Sequence, residues 1–125
     1  MPDSADILRL RVLLCFLKNG ENCNVMGISR TLKEPKQTIS RIMIALEKDG
    51  LLDRSEKRHP VLTKHGYITA QRYSERIEIT LNHLLYEGVD IENARNDAFY
   101  QSLYCSDETM RIIKESEQRY HVKYE

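Results

Sequence analysis

Lys36, Gln37, Thr38, Ser40 and Arg41 bring an ammonium, an amide, two hydroxyls and a guanidinium together within six residues. These are the groups that hydrogen-bond to the edges of bases and to phosphate oxygens. In the same segment Ile39, Ile42, Met43 and Leu46 recur at helical spacing, leaving Gln37, Ser40, Arg41 and Ile44 on the opposite face. A helix with this pattern packs on a core through one side and offers its polar groups on the other. Past Gly50, the run Ser55-Glu56-Lys57-Arg58-His59 forms a charged tip between two short apolar stretches. There Arg54, Lys57 and Arg58 are placed to meet phosphates flanking such a helix.

Other chemistries lack their residues. The chain has no glycine-rich phosphate loop, no GxSxG elbow and no HExxH pair, and only 5 glycines, so no catalytic residues are assigned and an enzyme is not expected. The three cysteines, Cys15, Cys23 and Cys105, have no CxxC spacing. That argues against a disulfide framework or a zinc knuckle. Cys15 and Cys105 sit among apolar residues and are expected to be buried. His59, His65 and His121 are expected to be exposed, the first two near the charged tip. No cofactor is implied.

The elements that would position the polar helix can be read from periodicity and caps. A first helix is expected from Ser4, through an almost wholly apolar run to Leu17, ending at Asn19-Gly20. A second carries Val25, Ile28 and Leu32, after which Pro35 suits the first turn of the third. The third runs to about Lys48, with Gly50 as its left-handed terminal residue. Strands at Leu51–Arg54 and Pro60–Leu62 flank the charged tip. Thr63 caps a long fourth helix striped with Ala70, Tyr73, Ile77, Leu81 and Leu84 or Leu85, closed by Gly88. Asp90 caps a fifth with Ile91, Ala94, Ala98 and Phe99, and Ser106 opens a sixth with Met110, Ile112 and Ile113. Beyond Glu115 the charged residues are expected to fray. The tyrosines Tyr67, Tyr73, Tyr86, Tyr100 and Tyr104 are expected to pack, with a ligand pocket among them as an alternative.

At 125 residues and 41% hydrophobic content, the chain can bury one good core. It has no net charge, yet residues 1–66 hold 12 Lys+Arg against 8 Asp+Glu, net +4, and residues 67–125 hold 7 against 11, net −4. The basic excess falls on the half that carries the polar helix. No stretch is apolar enough to cross a membrane, and the start lacks a basic signal-peptide region, so no membrane partner and a cytoplasmic location are expected.

The segment from Ile28 to Gly66 resembles the winged helix-turn-helix of many bacterial regulators, the MarR type included. Leu62-Thr63-Lys64-His65-Gly66, the long helix, Gly88-Val89-Asp90-Ile91-Glu92-Asn93-Ala94-Arg95-Asn96-Asp97-Ala98 and Ser106-Asp107-Glu108 resemble the diphtheria-toxin-repressor and manganese-transport-regulator family over roughly residues 5–115. The resemblance implies a mainly α fold: a winged-helix DNA-binding domain at 1–66, three helices with a small β-wing, then a helical dimerisation region at 67–125. It implies a homodimeric transcriptional regulator with double-stranded DNA as partner and no assigned effector. It also places the family's metal ligands on Leu8, Ile77, Leu81, Arg95, Phe99, Ser102 and Leu103. Only Ser102 offers a donor there, and a poor one, so no metal site is expected and metal-dependent control is expected to be absent. A relocated site among Glu75, Glu78, His83 and Cys105 is the alternative to that absence. A winged helix that binds a partner protein, or a MarR-type regulator sensing a small molecule or a redox signal, is the alternative to the function.

Overall fold

The computed structural model describes residues 4–19 and 23–120, with side chains to 118. Gly20 and His121 lie outside the described residues. The chain divides into two compact units, the first ending at Gln71 and the second beginning at Arg72.

In the first unit, α1 (Ala5–Asn19), α2 (Val25–Leu32) and α3 (Lys36–Lys48) precede a two-stranded antiparallel sheet, β1 (Leu52–Asp53) with β2 (Val61–Leu62), and the beginning of α4 (Lys64–Tyr86). The register pairs Leu52 with Leu62 and Asp53 with Val61. Apolar side chains from every element meet in one core: Val12, Leu13 and Phe16 of α1, Ile28 of α2, Ile39, Met43 and Leu46 of α3, Leu51 and Leu52, and Ala70 of α4. Removing such side chains from water is the main favourable term in folding a unit of this size.

Local chemistry sets the ends of these helices. Ser4 Oγ accepts from the Ile7 amide at 3.2 Å, satisfying a donor of the first turn of α1. Asn24, not singled out from the sequence, caps α2 by accepting from Gly27 N–H at 2.8 Å. Lys33 ends α2 in the left-handed region at φ 57°. Pro35 stands one residue ahead of α3, at its N-cap and not in its first turn. Gly50 takes φ 77° after α3, a conformation that costs glycine nothing. The strands are shorter than expected from the sequence, because only two residues on each side pair before the tip opens.

In the second unit, the rest of α4 is followed by α5 (Ile91–Tyr104) and α6 (Asp107–Tyr120). Asp90 caps α5 by accepting from Asn93 N–H at 3.1 Å. Ser106 Oγ accepts from Thr109 N–H at 3.1 Å. Ala94, Ala98, Ser102 and Met110 are buried. The expected fraying after Glu115 does not occur, and α6 continues to Tyr120. Glu115 pairs with Arg111 one turn earlier at 2.9 Å, and Glu117 reaches His83 of α4 at 3.0 Å. Charged side chains that pair along and between helices hold a last turn that an unpaired sequence would lose.

Candidate nucleic-acid interface

The two faces of α3 separate as its pattern requires. Ile39, Met43 and Leu46 are fully buried, whereas Lys36, Gln37 and Arg41 are exposed and Thr38 and Ser40 half-buried. Among the described residues the side chains of Lys36, Gln37 and Arg41 make no hydrogen bond or ion pair. They are therefore available to another molecule. Ile44, 52% exposed, is the one large apolar group on this face.

The tip between β1 and β2 is shaped by its own backbone. Asp53 Oδ1 accepts from Ser55 N–H at 2.9 Å, and His59 N–H donates to the Glu56 carbonyl at 3.0 Å. The Ser55 amide also holds the Asp53 carboxyl below its ordinary pKa. Residues Ser55 to His59 all face solvent, and Lys57 and Arg58 have no polar partner among the described residues. Arg54 is placed differently. Its side chain is only 19% exposed, lies 3.9 Å from Glu47 of α3 and has a buried Nε without a partner. It braces the wing against the end of α3, and Lys57 and Arg58 are the cations that project.

The positions onto which the resemblance carries metal ligands are not donor sites. Leu8, Ile77, Leu81, Phe99 and Leu103 are half-buried, and Arg95 is exposed. Ser102 is buried, its hydroxyl donating to the Phe99 carbonyl at 2.8 Å. Two of the candidates for a relocated site have side-chain partners. Glu75 pairs with Lys114 at 2.8 Å and His83 with Glu117 at 3.0 Å. Cys105 keeps a free, half-buried thiol, and only its backbone carbonyl is engaged, by Arg76 Nη2 at 2.6 Å. A cavity of about 390 Å³ does lie beside Glu75, Glu78, Asn82, Lys114 and Glu117, but the Lys114 ammonium occupies the charge a cation would need. Among the described residues no three His, Cys, Asp or Glu side chains gather as a metal site.

Two other expectations are corrected. Cys105 is only half-buried, because it ends α5; the second buried cysteine is Cys23, next to Cys15 in the core of the first unit. Burial pushes both thiols up, Cys23 to about 12. Tyr67, Tyr86 and Tyr104 are exposed, although the Tyr104 ring lies 6.2 Å from that of Tyr100, which like Tyr73 is half-buried. Helical spacing gave the face of each tyrosine but could not say whether that face meets another element.

Three helices, a two-stranded wing and a polar helix face beside it define a winged-helix fold. No family model matches the chain, and no curated protein matches it. Solved structures do. IdeR of T. acidophilum superposes with a TM-score of 0.71 at 20% identity, over 94% of this chain and 56% of that one. A hypothetical protein from Sulfolobus solfataricus superposes with a TM-score of 0.65 at 15% identity, over 88% of this chain and 84% of that one. At such identities the likeness establishes the fold. Among the described residues no helix is long and apolar enough to cross a membrane.

Proposed function

We propose that the chain is a DNA-binding transcriptional regulator that acts as a homodimer without control by first-row divalent metals. In this reading α3 enters the major groove and the wing lies on the flanking backbone. The observation that carries it is the uncommitted polar face of α3, with Lys36, Gln37 and Arg41 exposed on a helix whose other face is locked into the core by Ile39, Met43 and Leu46. Lys57 and Arg58, exposed on the wing without a polar partner among the described residues, supply cations at the position where such a fold meets phosphate. The likeness to IdeR supports the same reading.

The second unit is assigned to dimerisation. It exposes Tyr86, Ile91, Tyr104 and Ile112, large apolar groups of the kind that a partner surface covers, and a dimer doubles the half-site contacts available to one complex. Exposed Ile44 amid the polar groups of α3 is what favours the second reading, a module that binds a protein; in the first reading the same side chain meets a thymine methyl.

Salt separates the two. Binding to duplex DNA fragments, selected by the full chain from genomic DNA, is measured from low to physiological salt. A steep linear fall of log affinity with log salt is expected for DNA binding. Salt-insensitive binding, or none, overturns the proposal. Light scattering of the full chain at tens of micromolar should give a dimer, and a monomer would remove the dimeric part of it.

A further inference from the structure

A cavity of about 300 Å³ opens in the first unit between α1 and α2. Cys15, Cys23 and Ile28 line it as buried groups, and Asn19 and Thr31, both exposed, line its mouth. Both cysteines are free thiols. They come from different segments, Cys15 from the third turn of α1 and Cys23 from the residue before the cap of α2. Among the described residues that line this space there is no carboxylate or imidazole, and ions that prefer oxygen or nitrogen ligands find few of them there. Zinc requires four ligands, and the cavity offers two thiols.

We propose that Cys15 and Cys23 form a two-coordinate site for a soft, closed-shell cation of the Cu(I) type, taken up in the cavity between α1 and α2. Thiolate sulfur is the donor such ions select, and two opposed sulfurs complete their shell. In the binding step two S–H bonds break, two sulfur–metal bonds form and two protons pass to solvent, with no change of oxidation state. The bis-thiolate complex of a monovalent ion carries one negative charge. Lys18 and Arg11, whose positive charges act on Cys15, offset it. The bound ion ties α1 to the start of α2, and the site does not depend on whether α3 reads DNA.

The test is anaerobic titration of the full chain with Cu(I), delivered from a bicinchoninate complex that reports transfer by its colour. One copper per chain is expected, with two sulfur neighbours by X-ray absorption. Cys15→Ala and Cys23→Ala should each lose at least tenfold in affinity, and Cys105→Ala should keep it. Failure to extract copper from the chelator, a shell without two sulfurs, or retention of copper by a folded Cys15→Ala or Cys23→Ala chain overturns the proposal. Should either variant not fold, alkylation of the folded native chain decides the matter: added copper must slow iodoacetamide labelling of Cys15 and Cys23 relative to the metal-free chain and leave that of Cys105 unchanged. Labelling of Cys15 and Cys23 that copper does not slow overturns the site.

Discussion

Thr63 Oγ1 donates to the Gly50 carbonyl at 2.6 Å, so the residue that caps α4 also holds the turn that ends α3. The same oxygen accepts from Gly66 N–H at 2.9 Å, and Thr63 N–H donates to the Leu51 carbonyl at 3.1 Å. One residue thus joins the end of the polar helix, the start of the wing and the next helix. Thr63→Val keeps the shape and removes both hydroxyl bonds. It is expected to cost about 1–2 kcal/mol in urea unfolding, and Thr63→Ser much less.

Gly66 is the stricter position. A Cβ built there would lie 1.9 Å from the Leu51 carbonyl oxygen, and backbone cannot rotate away as a side chain can. Gly66→Ala is expected to lose about 3 kcal/mol or more, or to fail to fold. A melting temperature equal to that of the parent would show that α4 does not approach Leu51 so closely.

On the proposed interface, Arg41→Ala should leave unfolding unchanged and cost about 1–3 kcal/mol of discrimination for the selected site, by loss of a bidentate base contact. Lys57→Ala should weaken all sequences alike and reduce the salt slope by about one unit. Footprinting and a salt series check the pair, and identical behaviour of the two variants would count against separate base and phosphate roles.

Mn²⁺, Fe²⁺ or Co²⁺, with a chelator-treated control, should shift neither the melting temperature nor DNA affinity. Binding to the folded state at one hundred times the dissociation constant would add about 2.7 kcal/mol and raise the melting point visibly. A stoichiometric submicromolar site in calorimetry would restore metal control.

Asp107 accepts from Arg72 at 2.7 Å and from Arg76 at 2.9 Å. The Arg72 guanidinium, first by its hydrogen bond and then by its charge, holds the Asp107 carboxyl below the ordinary 3.8. A depressed folded pKa means that the contribution is fully present above the unfolded value and fades as pH falls below it. Asp107→Asn should therefore lower stability near neutral pH slightly and lose that difference in acid. The exposure of the pair keeps the effect small, and a gap that widened in acid would contradict the assignment.

Much of the architecture followed from local chemistry that the sequence displays. The stripe Ile39, Met43, Leu46 gave α3 its inner face, and Ser4, Thr63, Asp90 and Ser106 cap helices as their side chains allow. Gly50 and Gly88 mark helix ends because a positive φ suits glycine. A periodicity says which residues share a face; it does not say what the face meets. That is why Tyr67, Tyr86 and Tyr104 fell in solvent, and why Arg54, a cation by sequence like Lys57 and Arg58, was turned onto Glu47 only by the packing of the wing on α3. The pairing of Cys15 with Cys23 around one cavity, the close approach of Gly66 to Leu51 and the survival of α6 past Glu115 likewise depend on contacts between segments distant in the chain or carried on different elements. Residue spacing determined which face of α3 is apolar and which is polar. Only tertiary packing decided which charges, among the described residues, keep no partner, since a side chain is available only when no neighbour in space has already taken it.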